Sequence, residues 1–333
     1  MRLYYNLRKL ISILFSTLVF GLDAQVFVPS SETAFEPQHN FSPSFIKGRG
    51  IKKITLEILD KRDFEVAVDK NLVETYEFNQ EGYLSRYYYT TIVRSVERQI
   101  HTRNHRGVMH TRTVTDYIYD TVSTSYFYAG NNLILKRYHD GSNYYEARYY
   151  RYDSLGNLTK ELRFKEINNS PDHSVFILGN QLLLSEDSFQ YHKYSSGQLK
   201  CIFLNSENRP YKEKIINYDS LGRIKNINEN YTAAGWIMQE SKFEYVDNHL
   251  VSATFEGNAS NKLVLKNVYE YDAMNELYSE KQYKNEVLVK EISYVTDRTD
   301  SLLNSVVVRD TVNKSMRIIR LKYDTGQMSK SGN

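Results

Sequence analysis

A turn that keeps returning constrains this chain more than any other feature: an aromatic, a tight polar turn, then an aliphatic. It reads Tyr152-Asp153-Ser154-Leu155-Gly156-Asn157-Leu158, then Tyr218-Asp219-Ser220-Leu221-Gly222-Arg223-Ile224, then Tyr271-Asp272-Ala273-Met274-Asn275-Glu276-Leu277. A looser copy runs from Phe78 through Gly82 to Leu84, and shorter ones run Tyr128 to Leu133, Tyr194 to Leu199, Tyr245 to Leu250 and Tyr323 to Met328. Successive anchors from Phe78 lie 50, 24, 42, 24, 27, 26 and 52 residues apart. Most gaps are one or two units of about 25 residues, the signature of a repeat array.

Around the anchors, apolar residues fall at every second position. Tyr150 and Tyr152 flank Arg151, Ile216 and Tyr218 flank Asn217, Phe243 and Tyr245 flank Glu244, and Tyr269 and Tyr271 flank Glu270. That alternation marks strands with one apolar and one wet face. In the turn, Asp153, Asp219 and Asp272 can accept hydrogen bonds from amides just ahead. Gly156, Gly222 and Asn275 are the residue types that tolerate positive φ, which returns the chain. Each repeat is therefore a hairpin, with three- and four-residue loops expected at the tips. The expected fold is all-β: an antiparallel meander of repeated hairpins forming one extended, twisted or curled sheet. Thr90 to Thr115 reads as a long hairpin, and the interval holding Pro171 as an insertion loop followed by an extra strand.

Composition fits a wide, wet sheet. Hydrophobics are 41% of the 333 residues while Tyr alone fills 29 positions, so burial must come from rings that keep a hydroxyl at the water boundary. Basic and acidic residues number 43 and 40, a balance that points to no nucleic-acid partner. Residues 1–24 read as a secretory signal peptide: Arg2, Arg8 and Lys9, an apolar run Ile11 to Leu22, and a cleavage point after Ala24. No membrane span is expected after cleavage, and the lone Cys201 makes no internal disulfide. Residues 25–50, with Pro29, Pro37 and Pro43, read as an extended linker or strap, and 51–333 as the β-hairpin repeat domain, clearest at 150–285.

The copies Tyr152 to Leu158 and Tyr218 to Ile224 resemble the YD repeat of the Rhs family, whose pattern is a Tyr-Asp pair, two variable residues, Gly, a basic or polar residue and an aliphatic. The resemblance covers roughly residues 70 to 330 as repeat architecture. It implies a secreted or surface β-structure that binds carbohydrate, mediates contact, or forms a shell around cargo, and the signal segment with a lone Cys fits export into a Gram-negative periplasm or onto the cell surface. The chain is short for a closed shell.

No catalytic set emerges: no nucleophile stands in a recognisable context, and the turn aspartates are explained by capping. The expectation is a non-enzymatic exported protein, without cofactor or metal, in the periplasm, at the cell surface or outside the cell. His101, His105 and His110 lie among Arg98, Arg103, Arg106 and Arg112, an environment that suits an anion better than a cation. Tyr87-Tyr88-Tyr89 and Tyr144-Tyr145 put rings on both faces of their strands. Tyr88, Tyr145, Arg103 and Arg106 are thus the candidate contacts for a glycan, or for another envelope protein if the chain serves envelope assembly.

Overall fold

The computed structural model describes residues 25–35, 41–103, 109–172, 175–194, 197–232, 236–257, 263–297 and 302–326. The expected signal peptide, Arg106 and the tip of the long hairpin lie outside them. One short helix, α1 (Pro43–Gly48), precedes the strands β1 (Lys53–Arg62), β2 (Val68–Phe78), β3 (Leu84–Arg103), β4 (Met109–Ala129), β5 (Asn132–His139), β6 (Tyr145–Tyr152), β7 (Leu158–Asn168), β8 (Leu178–Lys193) and β9 (Leu199–Leu204). The second half continues with β10 (Pro210–Tyr218), β11 (Ile224–Tyr231), β12 (Trp236–Val246), β13 (His249–Gly257), β14 (Leu263–Tyr271), β15 (Leu277–Lys284), β16 (Val287–Thr296), β17 (Leu303–Asp310) and β18 (Ser315–Asp324).

Every strand pairs antiparallel with the next, as the hairpin period predicts. The meander differs from the expected open sheet at its ends: β1 pairs with both β2 and β18, so the 18 strands close into a barrel. Closure removes the two free edges that so long a meander would otherwise present. The joining ladder runs ten residues, from Lys53↔Asp324 to Arg62↔Ser315. It is reinforced by Ile54, Leu56, Ile319 and Leu321, all buried.

Six of the eight anchors turn out to be the cross-strand partner of their own aliphatic: Phe78↔Leu84, Tyr128↔Leu133, Tyr152↔Leu158, Tyr218↔Ile224, Tyr245↔Leu250 and Tyr271↔Leu277; Leu199 pairs instead with Lys193, Tyr323 pairs with Ile54 on β1, and Met328 lies outside the described residues. A register shift falls immediately before the anchor in each of the six. The extra residue of such a bulge lets anchor and aliphatic share one face. Loop lengths differ from the expectation for the same reason. In the short copies Tyr128 to Leu133 and Tyr245 to Leu250 only two residues separate the strands, whereas five do in the long copies, as in Asp153 to Asn157, and also between Lys193 and Leu199.

Following the registers around the ring assigns every strand residue to one of two faces. One carries Ile54, Tyr76, Tyr87, Val122, Tyr150, Tyr152, Cys201, Ile227, Phe243, Tyr269, Tyr294 and Val306. Residues 25–35 and 41–50 pack on this face, which identifies it as the inside. Phe35 meets Phe255 on β13 with ring centroids 5.8 Å apart, and Phe41 meets Tyr76 on β2 at 4.7 Å. Seven strand steps of about 4.8 Å separate β13 from β2, some 34 Å along the wall and more on its convex side. Six residues reach at most about 21 Å, a span that suffices only across the concave interior.

Residues 25–35 and 41–50 therefore fold into the barrel as a strap and not as an extended linker. An isolated bridge Phe27↔Phe41 folds the segment on itself. Ser42 caps α1 by accepting from the Phe45 amide, and Phe45 and Ile46 are buried. With Ile54, Leu56, Tyr76, Phe78 and Val306 they form the main apolar cluster. A second cluster joins Ala34 of the strap to Ile227, Phe243, Leu250 and Tyr269.

Candidate functional site

The repeated turns all gather at one rim. In the tip of β6–β7 the Asp153 amide donates to the Asn157 carbonyl and the Gly156 amide to the Asp153 carbonyl. The Asp153 carboxylate accepts from the amides of Leu155 and Asn157 at 2.9 and 2.8 Å. Asp219 does the same for Leu221 and Arg223, and Asp272 for Met274 and Glu276. Gly156, Gly222 and Asn275 sit at φ of 83°, 79° and 62°. In the loose copy Asn79 takes the aspartate's place, accepting from Glu81 and Tyr83, and Gly82 has φ 84°. Hydrogen bonds from the Asn157 side chain hold the Asp153 carboxyl below its ordinary range.

A second code binds each repeat to its predecessor. The anchor Tyr152 hydroxyl donates to the Leu133 carbonyl at 2.8 Å, Tyr245 to Ile224 at 3.1 Å, Tyr271 to Leu250 at 3.0 Å and Tyr323 to Leu303 at 2.7 Å. Each tyrosine thus tucks a half-buried ring beneath the rim and spends its hydroxyl on the preceding hairpin's aliphatic residue. The apex residues stay outside: Leu155, Leu221 and Met274 are 85%, 69% and 79% exposed.

The outer face carries charge on β9 to β15, β18 and β1, while on β4 to β8 it bears the paired row Phe127–Leu135–Tyr149–Leu162 and Phe164 beside Leu183. Ion pairs cross it between Lys322 and Glu57 at 2.5 Å, Lys200 and Glu213 at 2.8 Å, and Lys281 and Glu270 at 2.7 Å. Lys242 reaches Glu240 at 3.0 Å and Glu256 at 3.7 Å, and Asn226, Asn228 and Asn230 line the same face of β11. The lumen is charged too: Arg163 reaches Glu146 at 2.7 Å, Arg148 reaches Glu161 at 3.3 Å, and Lys212 reaches Glu229 at 2.6 Å.

Of the candidate contacts, Tyr88 and Tyr145 fall on one outer row. Tyr88 pairs with Ser123, Ser123 with His139, and the His139 ring stacks on Tyr145 with centroids 4.2 Å apart. Three strand steps put the two tyrosines about 14 Å apart. The Arg86 guanidinium lies 5.3 Å over the Tyr88 ring, and Phe176 meets Tyr145 edge-on at 4.9 Å. Arg103 stands apart, exposed near the tip of the β3–β4 hairpin. In that hairpin His101 Nδ1 is 2.8 Å from Thr111 Oγ1, and Asp116 on the opposite strand pairs with Arg98 at 2.7 Å. No group of three potential metal ligands converges among the described residues.

The same row continues into a cluster that sequence reasoning missed. Glu166, fully buried, accepts from Arg137 Nε at 2.8 Å, Tyr149 hydroxyl at 2.5 Å and Gln181 Nε2 at 2.8 Å. Phe176, from the loop after β7, covers Arg137 at 3.8 Å. Arg137 and Glu166 are 29 residues apart, and only the register of β5 to β8 brings them together.

Two cavities open inside the barrel. The first, about 490 Å³, lies between the strap and the inner face of β14 to β18. The second, about 550 Å³, shares Lys290, Val308 and Arg317 with it and continues past Asp60, Lys70 and Tyr117. On the floor of the first, Glu280 accepts from Gln282 at 2.8 Å and from the Tyr294 hydroxyl at 3.0 Å. Burial pushes the Glu280 carboxyl up, and it raises the Tyr294 phenol well above its ordinary value, helped by Glu280 beside it.

No family model matches this chain, and no curated protein does. Among solved structures, a porin-like protein from Bacteroides uniformis ATCC 8492 is similar at 9% identity, covering 82% of this chain and 98% of its own, with a TM-score of 0.36. A likeness at that level defines no shared family, and the barrel's properties have to be read from its own residues.

Proposed function

We propose that this chain is a non-enzymatic exported protein of the bacterial envelope, a barrel that stands in water and serves binding. The observation that carries this reading is the charge on both faces of the wall. Strands of eight to eleven residues, such as β5 and β12, are long enough to cross a bilayer when tilted. Length does not decide the matter; charge does. A Lys or Arg on the lipid face at mid-bilayer costs about 2–4 kcal/mol. The pairs around Lys200, Lys242, Lys281 and Lys322 recur on the outer face, so insertion would bury charge after charge in hydrocarbon. In water the same pairs simply solvate the sheet.

Carbohydrate is the proposed ligand of the outer row Tyr88–His139–Tyr145, where aromatic faces and the Arg86 guanidinium lie side by side, as sugar recognition requires. The test is titration of the mature chain, purified without detergent, against a glycan panel at millimolar concentration. Binding that Tyr88→Ala and Tyr145→Ala weaken supports the reading. An absence of measurable binding removes it. The exposed apices Leu155, Leu221 and Met274 favour a second reading, in which the turn rim is a contact surface for another envelope protein.

A further inference from the structure

We infer that the chamber beneath the strap is a binding site for an anionic amphiphile, with the apolar tail under the strap and the acidic head at Lys290 and Arg317. This rests on the lumenal position of the strap and on the reading of the barrel as a protein that stands in water. The chamber's volume, about 490 Å³, falls in the range of small-molecule sites. One wall is supplied by Val28, Ala34 and Phe35 of the strap, and the facing wall by Leu265, Ile292 and Val306. Between these walls the lining is mostly apolar, with Thr33, Asn267 and Gln282 interspersed. Aliphatic chain suits that lining.

Polar groups mark the two ends differently. Toward the turn rim the floor is Glu280, whose oxygens are already engaged by Gln282 and Tyr294. Toward the opposite rim the chamber opens past Lys290 and Arg317 into the second cavity, which Lys61, Arg62 and Lys70 also line. Carboxylates stand there as well. Asp60 is engaged by Arg317 at 2.8 Å and Lys70 at 3.1 Å, Asp310 by its own turn, and Glu65 completes the acidic set. Five cations against three carboxylates leave this outlet basic; Lys290 itself faces Glu280 and its cross-strand partner Asp310. An ammonium at the mouth of an apolar chamber matches a carboxylate, sulfate or phosphate head on a hydrocarbon chain.

The experiment is calorimetric titration of the mature, detergent-free chain with sodium dodecanoate, dodecanol and dodecyltrimethylammonium, each below its micelle concentration. The inference predicts saturable one-to-one binding of dodecanoate, at least tenfold tighter than dodecyltrimethylammonium. Lys290→Glu, at an exposed position, should weaken dodecanoate at least tenfold and leave dodecanol unchanged. Val308→Trp, which fills the chamber, should abolish both; if that variant does not fold, the head-group comparison and Lys290→Glu decide alone. Non-saturating uptake, or equal affinity for the anionic and cationic probes, overturns the inference. A chain that leaves the membrane only in detergent would refute the water-standing barrel at purification, before any titration. Neither substitution touches the outer row of Tyr88 and Tyr145, so the glycan reading stands or falls separately.

Discussion

At the scale of single residues the fold depends on tips that can be satisfied in only a few ways. Gly156 stands free, with nothing within 4 Å of where a Cβ would be, so Gly156→Val costs only the strain of positive φ, about 1 kcal/mol or slightly more. At Gly82 a Cβ would come within 2.1 Å of the Pro43 carbonyl oxygen, so Gly82→Ala should cost more than Gly156→Val despite the smaller side chain, because the strap must move. Chemical denaturation of the two variants checks that order. Hydrogen bonds from Asn157 depress the Asp153 carboxyl, and bonds from the Asn313 amide and side chain depress Asp310. A depressed carboxylate contributes stability above its unfolded value, near pH 4, and loses it as pH falls through the folded value. Unfolding midpoints should therefore drop as the medium passes below about pH 4. Asp153→Asn should flatten that fall with little loss at neutral pH, since Asn79 already performs the same capping in the first copy. Glu280, pushed up by burial, works in the opposite sense and favours the fold in acid.

At the scale of elements, the anchor tyrosines make each hairpin depend on the one before it. Tyr152→Phe deletes the bond to the Leu133 carbonyl and should cost about 0.5–1.5 kcal/mol, while Tyr152→Ala also removes a half-buried ring and should cost about 2–3 kcal/mol. Thermal unfolding measures both. Alanine at Tyr88 or Tyr145, on the outer face, should leave stability nearly unchanged and lower any glycan affinity; equal destabilisation at all three positions would favour a purely structural role for the rings. The tips, the strand alternation and the inward face of Tyr150, Tyr152, Tyr269 and Tyr271 are legible in the sequence, because each is decided within a few residues. The Arg98–Asp116 pair and the Glu166 cluster are not. They depend on which strand lies beside which, and bulges such as that at Arg163/Phe164 shift that register. The packing of the strap escapes a linear reading too, for its partners on β13 to β18 lie more than 200 residues away, as Asn267 to Ala34 shows.

At the scale of the whole molecule, two long-range events make a closed vessel of a meander: β1 meets β18, and the strap packs on the inner face. Neither has a local signal, since strand pairing of Lys53 with Asp324 closes a loop of nearly the whole domain. On the proposed reading this wall meets water on both sides; apolar burial gathers at the rim of anchors and the strap, with Val122, Ala147, Cys201 and Leu204 buried elsewhere in the wall. The central claim, that the outer face meets water, can be tested with single cysteines. In a Cys201→Ser chain, Lys242→Cys on β12 and Lys266→Cys on β14 place a thiol on the outer wall, where Lys242 is 51% exposed. A charged, membrane-impermeant maleimide is applied to the exported protein in isolated envelopes. The account predicts that both thiols react as fast without detergent as with it. Thiols that stay protected until detergent dissolves the membrane would contradict it.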